Sequence, residues 1–307
     1  MEHTPLTNWL LDSDPAIRWQ VKRDLLKESP EAVALERAKI ATEGWGARLL
    51  ELQTPDGMWG GAVWQSPDWI STMDTLVLLR DLGIDPQSPQ ARRAIELVLH
   101  NNLTWGPEFG DSPFFEGEEE ACINGRTLAV GAYFGVNSDK LAQQLVCEQM
   151  EDGGWNCYTP PSTRSSFHST ICVLEGLLEY ENMPGATIDV AAPRKRGEEY
   201  LLERQLFRSL STGEVVNPHW LEFSFPTRWH YDVLWALDYL RRTGVKPDAR
   251  VSEAVELIKQ KQDSQGRWLL ENPHPGRVHF TMEEGGQPSR WNTLRALQVL
   301  DWYAAAV

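Results

Sequence analysis

The densest group of side chains suited to acid–base chemistry lies in residues 224–240, which read SFPTRWHYDVLWALDYL. Five consecutive residues there are polar or aromatic: Arg228, Trp229, His230, Tyr231 and Asp232. If a helix begins at Pro226, Arg228 and Asp232 lie four residues apart on one face and can form an ion pair. Such a pair would position an aspartate for general acid catalysis, so we predict that Asp232 and His230 are catalytic. The alternative is an ordinary ion pair on a helix surface, which contributes about 0.5 kcal/mol.

A second polar group emerges when five amphipathic segments are aligned on their shared leucine pattern. One position is polar in all five segments: Asp74, Arg126, Ser169, Asp232 and Asn292. At one level of five parallel helices, these residues would form a ring around a central cavity, where perturbed pKa values concentrate. We therefore predict Asp74 as a further catalytic residue. For Ser169 and Asn292 the simpler interpretation is a first-turn residue that bonds free backbone donors.

We predict substrate contacts from the residues around these two groups. They are Arg228, Trp229, Tyr231, Arg126, His168, Trp291 and Asn292. His168 precedes Cys172 by four residues, a spacing that a metal could use, but a buried neutral histidine beside a small apolar cysteine is the interpretation we favour. We predict no metal site and no cofactor. The long segment 271–291 is predicted either to cover the cavity as a lid or to tether neighbouring helices.

A repeated pattern indicates which elements must position these side chains. The spacing Gln-x3-Gly-x-Trp occurs at Gln53–Trp59, Gln149–Trp155 and Gln262–Trp268, and partial copies end at Asn101 and Gln205. The copies recur every fifty residues or so, which is the size of a two-helix unit with a loop. In each copy the glycine favours a turn, and the tryptophan and glutamine are predicted to staple adjacent repeats.

Each repeat contains two stretches with apolar residues at helical spacing, and no segment has the pattern of a strand. We predict an all-α fold of five to six stacked helical hairpins in one domain over residues 1–307. Within it, residues 1–37 form an N-terminal helical extension and residues 38–307 contain the repeats.

The three full copies resemble a repeat known from one family. Leu49, Gln53, Gly57 and Trp59 match the QW repeat of the squalene and oxidosqualene cyclases, and the later copies are similar to it. This repeat is typical of the terpenoid cyclase and protein prenyltransferase superfamily. The resemblance implies an α/α toroid, in which inner helices surround a central cavity and outer helices enclose them.

The family's catalytic motifs are only partly present. In class II cyclases the central acid of an Asp-x-Asp-Asp motif protonates the substrate, but the corresponding segment STMDT keeps only Asp74 and has Met73 at the acid position. The chain contains no Asp-Asp-x-x-Asp motif. Prenyltransferases bind zinc with Asp, Cys and His; His230 and Asp232 are present here, but no Asp-x-Cys sequence occurs.

Composition restricts the possible partners and location. With 29 basic and 44 acidic residues, the net charge is -15, which excludes the basic surface that nucleic acids require. Apolar runs are too short to cross a membrane, no signal peptide pattern is present, and four cysteines fit a reducing compartment, so we predict a cytoplasmic protein. The oligomeric state cannot be inferred from the sequence.

Three functions remain open. The first is a cyclase-like or prenyltransferase-like enzyme that binds an isoprenoid or another apolar small molecule in an aromatic cavity. The second is a binding protein that keeps the toroid without the chemistry. The third is a carbohydrate-active toroid enzyme, with Asp74 and Asp232 as paired carboxylates. The polarity of the cavity wall should distinguish them.

Overall fold

The computed structural model describes residues 4–305, and almost all of their regular structure is helical. The α-helices in these residues are α1 (Pro5–Leu11), α2 (Pro15–Gln20), α3 (Pro30–Ala38), α4 (Gly44–Glu51), α5 (Thr72–Leu82), α6 (Pro89–His100), α7 (Ala121–Tyr133), α8 (Asp139–Cys147), α9 (Phe167–Glu181), α10 (Ala191–Glu203), α11 (Val233–Arg242), α12 (Ser252–Gln260) and α13 (Arg290–Ala304). Two short antiparallel strands, β1 (Trp268–Leu269) and β2 (Pro288–Ser289), are the exception. The predicted all-α fold class is confirmed.

Inner and outer helices alternate along the chain, as expected for an α/α toroid. Helices α5, α7, α9, α11 and α13 surround a central cavity, and α4, α6, α8, α10 and α12 lie outside them. Each inner helix returns through an outer helix, so the inner helices have their N-termini at the same end. The closest approach is between α7 and α9, where a Cβ on Gly125 would lie 2.5 Å from the Cys172 carbonyl oxygen.

The N-terminal helices complete the inner ring. Trp19 of α2 donates from Nε1 to the Leu82 carbonyl at the end of α5, at 3.2 Å. On the other side, Gln298 of α13 donates to Asp24, which lies in the π-helix Val21–Leu25 that continues α2. The segment predicted as an extension is therefore part of the toroid wall between α13 and α5. Its first three residues lie outside the described residues, and α3 is a helix that the sequence pattern did not predict.

The repeated tryptophans and glutamines join the helices. In all three copies the indole Nε1 donates to a carbonyl ten residues earlier, as from Trp59 to Leu49 at 2.6 Å. Gln53 donates to the Gly57 carbonyl at 3.0 Å and to the Ala94 carbonyl of the next outer helix at 2.9 Å. Gln149 makes the equivalent pair of bonds in its own repeat. The bonds from Gln53 and Gln149 to the next outer helix connect adjacent repeats, as predicted for the glutamines. The indole bonds instead join parts of one repeat.

The glycine recurs at the same position of this repeated pattern for a local reason. Gly57 has φ +86°, and a Cβ at this position would lie 2.7 Å from the Leu97 carbonyl oxygen of α6. A residue with a side chain would therefore be strained in its backbone and would clash with the next repeat.

Residues 271–289 lie across the end of the toroid where the inner helices begin. The Pro275 carbonyl accepts a bond from Trp69 Nε1 at 2.7 Å, and Arg277 pairs with Asp68 at 2.9 Å. Further along, His279 Nε2 lies 2.8 Å from the Thr75 hydroxyl of α5. This segment thus both covers the end of the toroid and tethers it to α5. No helix within residues 4–305 combines the length and apolarity needed to cross a bilayer.

Candidate functional site

A cavity of about 520 Å³ occupies the centre of the toroid; we call it the lumen. At one end it is bounded by Phe225 and Arg228, near the start of the inner helices. At the other end it reaches Gly83 and the exposed Asn182, where these helices finish. Its volume lies in the range of small-molecule binding sites.

The lumen wall is both charged and aromatic. The charged side chains are Arg23, Arg37, Arg80, Arg126, Arg228, Arg241, Arg242, Arg295, Asp24, Asp81, Glu175, Glu179 and Asp238. The aromatic side chains are Trp19, Tyr133, Phe225, Trp235 and Trp291. Arginines outnumber carboxylates, although the whole chain is strongly acidic. The predicted apolar cavity is therefore wrong in this respect, because aromatic rings share the wall with many ionised groups.

We call one half of the lumen the lower lumen and define it by Glu175 of α9, Arg80 and Arg242. Glu175 lies between the two arginines. Its carboxylate accepts from Arg242 at 2.8 Å, from Arg80 at 3.1 Å and from Trp235 Nε1 at 3.0 Å. Burial alone would raise the pKa of Glu175, but Arg242 and Arg80 outweigh it and the net shift is downward. Every charge in this group has an opposite charge beside it.

Asp81, which directly follows Arg80 on α5, is a lumen carboxyl of a different kind. It pairs with Arg80 at 2.8 Å, yet burial raises its pKa above the ordinary value despite that arginine. Its neighbour across the lumen, Asp238, is paired with Arg241 at 2.7 Å and has a lowered pKa, because arginines outweigh its burial.

The other half of the lumen, which we call the upper lumen, contains Arg126, Arg228 and Trp291. Arg126 of α7 donates from one terminal nitrogen to Asp74 of α5 at 2.7 Å, and both side chains are almost fully buried. Asp74 also accepts from Ser71, the N-cap of α5, at 2.7 Å. Asp74 therefore positions Arg126, and its carboxylate is committed to that ion pair.

Arg228 has no such counter-ion. It is 9% exposed and lines the lumen, and residues 4–305 offer no carboxylate within ion-pair distance and no acceptor for its guanidinium. Burial lowers the pKa of Arg228 to about 10, so the side chain is still charged at neutral pH. The Trp69 ring, whose centroid lies 5.3 Å from the guanidinium carbon, is a favourable neighbour, and Asp74 and Asp81 favour the charge from beyond ion-pair distance.

Two more donors in the upper lumen lack partners within the described residues. They are Nε of Arg126 and the indole Nε1 of Trp291, both buried. Trp291 stacks on Phe225 with ring centroids 4.1 Å apart. Buried donors are normally bonded, because an unmade bond costs about 1–3 kcal/mol. Three donor side chains in one chamber, two of them cationic, match the needs of an anionic ligand.

A second cavity of about 320 Å³, which we call the mouth cavity, lies beneath residues 271–289. Asp232 is at its wall, and the Ser224 hydroxyl donates to this carboxylate at 3.0 Å. His274 Nε2 lies 3.2 Å from the same hydroxyl, so the three side chains form a continuous hydrogen-bonded chain. Burial raises the pKa of Asp232 even though Arg295 and three donors act against it. This chain of hydrogen bonds links the Asp232 carboxyl to the His274 ring.

Two histidines of the mouth cavity, His230 and His274, are neutral at physiological pH. Burial, then the nearby His168 and Arg126, lowers the pKa of His230 to about 4. Burial, then His230, Arg228 and His168, lowers the pKa of His274 to about 3. The rings of His230 and His274 are stacked 4.1 Å apart. A stacked neutral pair can accept protons only weakly.

The predicted helical pair of Arg228 and Asp232 does not form. Helix α11 begins at Val233 rather than at Pro226, because Asp232 has extended backbone angles and caps the helix by accepting from Trp235 N at 2.7 Å. Arg228 lies in the preceding turn with φ +59°, so the two side chains point to different cavities.

The predicted polar ring does not form either, although all five residues lie near the starts of the inner helices. Only Arg126 lines the lumen. Ser169 accepts from the backbone N–H of Cys157 at 3.2 Å, in keeping with the simpler interpretation. Asn292 instead donates to the Leu269 carbonyl at 2.9 Å, and its own Oδ1 has no partner within residues 4–305. Asp74 and Asp232, predicted as partners, lie apart: Asp74 pairs with Arg126, and Asp232 lines the mouth cavity.

The remaining predicted contacts are divided between the two cavities. Trp291 lines the lumen, whereas His168 and Tyr231 line the mouth cavity. His168 Nδ1 accepts from Tyr231 N at 2.8 Å, and the Tyr231 hydroxyl donates to the Leu206 carbonyl at 2.6 Å. Trp229 is partly exposed and stacks on His230 at 3.8 Å.

Sequence reasoning missed the charged residues of the lower lumen. Polar residues at helical spacing on the inner helices, beyond the predicted ring, could have indicated them. On α5 Asp81 follows Asp74 by seven residues, and on α9 Glu179 follows Glu175 by four. These residues continue one face of each helix into the lumen.

No family model matches the chain, and no curated protein matches it in sequence. Solved structures are similar at low identity. The type II terpene cyclase MstE from Scytonema, without ligand, has a TM-score of 0.46 and 17% identity, with 96% of this chain and 88% of that chain covered. A protein from Actinoplanes has a TM-score of 0.47 and 17% identity over 95% and 90% of the two chains. An MstE variant in complex with the substrate geranylgeranyl dihydroxybenzoate has a TM-score of 0.43 and 16% identity over 99% of both chains. With every TM-score below 0.5, the function of this chain must be inferred from its own residues.

Proposed function

We propose that this chain is a terpenoid cyclase-like toroid that binds an isoprenoid-type small molecule with an anionic head group in its lumen. The head group, a carboxylate or a phosphate, occupies the upper lumen. There it accepts hydrogen bonds from Arg228, from Nε of Arg126 and from Nε1 of Trp291.

The unpaired charge of Arg228 carries this proposal. A buried guanidinium without a counter-ion is costly, and a protein keeps such a group where it meets an anion during function. Arg126 is held in place by Asp74, so one cation is already positioned before the ligand arrives. Two arginine side chains offer the fork-shaped donor pattern that suits carboxylates and phosphates.

The rest of the ligand needs an apolar surface, and the lumen supplies one. Phe225, Trp291 and Trp235 line the same cavity as Arg228. Aromatic faces pack against isoprenoid chains and stabilise carbocations through their π electrons. An anionic head with an apolar body therefore fits this wall better than a plain hydrocarbon or a sugar.

Acid–base catalysis by Asp74, Asp232 and His230 stays a prediction. Asp74 is committed to Arg126, which favours a positioning role for it. Asp232 has the raised pKa that a proton donor needs, but it faces the mouth cavity. The carbohydrate-active alternative requires Asp74 and Asp232 across one cavity, and the geometry gives that arrangement no support. A binding protein without turnover remains the second candidate, because Met73 replaces the usual acid.

Binding of matched ligands tests the proposal. We would titrate purified protein with geranylgeranyl diphosphate, with geranylgeraniol, which lacks the charge, and with inorganic diphosphate, which lacks the tail. Calorimetry should give the tightest binding for geranylgeranyl diphosphate, and Arg228→Met should weaken it at least tenfold. Product analysis of the same mixtures by mass spectrometry shows whether binding leads to turnover.

Arg92→Met is the matched control, since Arg92 is an exposed arginine on the outer helix α6. It should bind like the unaltered protein. The proposal is overturned if the neutral alcohol binds as tightly as the diphosphate, or if both arginine variants lose the same affinity.

A further inference from the structure

Two thiols and a carboxylate converge outside both cavities, at the start of α7. Glu120 and Cys122 flank the first residue of that helix, and Cys157 lies in the turn after Trp155. One ligand atom from each of the three residues lies within 4.8 Å of the others. We propose that these three residues form a zinc site, with the fourth position open to solvent.

The distances fit a tetrahedral ion. Zinc–sulfur bonds of about 2.3 Å and zinc–oxygen bonds of about 2.1 Å place neighbouring ligand atoms about 3.5–3.8 Å apart in a tetrahedron. Glu120 Oε2 lies 3.7 Å from the Cys122 sulfur. The other two distances are at most 4.8 Å, so side-chain movements of about 1 Å bring the three atoms around one metal.

The surroundings of Cys157 favour a bound thiolate. Its sulfur accepts from the backbone N–H of Cys122 at 3.1 Å and lies 3.2 Å from the Ser169 hydroxyl. Ser169 is in turn held by the Cys157 N–H at 3.2 Å. Hydrogen bonds of this kind orient a metal ligand and fix its geometry. In this proposal Ser169, which does not line the lumen as predicted, positions the metal ligand Cys157.

Ligand type and access point to zinc rather than to a harder ion. Two sulfurs with one carboxylate suit zinc, whereas magnesium and calcium need oxygen ligands. Cys122 and Cys157 are half-buried and Glu120 is exposed, so an ion can enter and water can complete the coordination. Binding displaces one proton from each thiol, so affinity falls as the pH falls.

The predicted absence of a metal follows from the lack of a familiar ligand motif such as Asp-x-Cys. Two of the three ligands, Glu120 and Cys122, lie two residues apart, and the next repeat supplies the third, Cys157, 35 residues after Cys122. The juxtaposition depends on the close packing of α7 against α9, whose first turn holds Ser169.

Cobalt substitution tests the site. Fully reduced protein is freed of metal with a chelator and titrated with Co²⁺, whose absorption reports both thiolate ligation and coordination number. We expect one ion per chain, a sulfur-to-cobalt charge-transfer band and the strong visible bands of a tetrahedral ion. Zn²⁺ should then displace the cobalt and remove the colour.

Three variants locate the ion. Cys157→Ser should abolish the charge-transfer band or halve it, and Glu120→Gln, at an exposed position that folding does not require, should weaken Co²⁺ at least tenfold. Cys147→Ser is the control, because Cys147 is an exposed thiol on α8 away from the cluster. The zinc site is refuted if reduced protein gives no charge-transfer band, if the visible bands are those of a six-coordinate ion, or if Cys147→Ser changes binding as much as Glu120→Gln.

Discussion

The two halves of the lumen use the same kind of residue in opposite ways. In the lower lumen Arg80 and Arg242 converge on Glu175, and every buried charge is compensated. In the upper lumen, Arg228 forms no ion pair within residues 4–305, and Nε of Arg126 has no hydrogen-bond partner among the same residues. Arg80, Arg126 and Arg228 are at most 9% exposed and Arg242 is 29% exposed, so the main difference between the halves lies in the bonds that the protein itself provides.

This difference separates structure from function. A compensated buried network fixes the geometry of the helices, and the removal of one member leaves an isolated charge. An uncompensated donor lowers stability unless something outside the chain binds to it. The lower lumen therefore has a structural role, and the upper lumen offers free donors to a ligand. Three predictions test this distinction on ligand-free protein, and a fourth compares the lumen with the mouth cavity.

The largest effect is expected from Glu175→Gln. The amide keeps the shape of the side chain but removes the negative charge that Arg80 and Arg242 share. The free energy of unfolding should fall by about 3 kcal/mol, because two buried cations lose their common partner. Urea denaturation at neutral pH measures this. A loss below about 1 kcal/mol would mean that Asp81 and Glu179 suffice for the two arginines and that the lower lumen is not a cooperative network.

The next prediction compares two buried lumen tryptophans that differ in their hydrogen bonding. Trp235 donates to Glu175, whereas the indole N–H of Trp291 has no partner within residues 4–305, and Trp291 also stacks on Phe225. Trp235→Phe should cost about 2 kcal/mol, since it removes a hydrogen bond to a charged group. Trp291→Phe should change the free energy of unfolding by less than about 1 kcal/mol, because the lost packing is offset by removal of an unpaired donor.

Thermal and urea unfolding of these two variants side by side provides the internal control. Both substitutions remove the same atoms from the same cavity, so a difference between them reports the hydrogen bond. Equal losses would show that Trp291 has a protein or water partner, and the upper lumen would then need no ligand to satisfy it.

The sequence predicts the helical scaffold of this arrangement. The spacing of Gln53, Gly57 and Trp59 depends on contacts within one repeat and the next, so a local pattern suffices to identify the two-helix units. The start of α11 was misplaced because Asp232 caps the helix, and Pro226 is then left in a turn. That error placed Arg228 and Asp232 on one face, although they belong to different cavities.

The site depends on contacts that no short pattern encodes. Glu175 meets Arg80 across 95 residues and Arg242 across 67 residues. Whether an arginine is compensated depends on which side chains the closed ring brings opposite it. The sequence could therefore nominate Arg126 and Arg228, but it could not show that one is held by Asp74 and the other is left without a counter-ion.

Arg228→Met should change the free energy of unfolding by less than the Glu175 and Trp235 substitutions do, and in the opposite direction. It removes a desolvated charge that no carboxylate compensates, while most of the apolar stem is retained. The free energy of unfolding should rise by about 1 kcal/mol, with the loss of the Trp69 contact partly offsetting the gain. Because methionine has the same difficulty as arginine at φ +59°, backbone strain does not change. Chemical denaturation measures the shift, and a clear loss of stability would show that Arg228 is satisfied within the chain.

The smallest effect concerns pH and distinguishes the mouth cavity from the lumen. His230 has a pKa of about 4 in the folded protein against 6.5 for the free side chain, since burial disfavours its charge. Below pH 6.5 the unfolded chain therefore binds a proton that the folded chain does not. The stabilising contribution of the neutral ring is complete above pH 6.5 and is lost as the pH falls toward 4.

Between pH 7 and pH 5 this one histidine should lower the free energy of unfolding by about 0.5 kcal/mol, a value discounted for its partial exposure. His230→Phe keeps a ring stacked against Trp229 and His274 but removes the titration. The variant should lose less stability than the unaltered protein over this range, while the arginines of the lumen contribute nothing to the difference because they stay charged. Parallel pH curves for the two proteins would mean that His230 is solvated, and the mouth cavity would then be an open surface rather than an enclosed site.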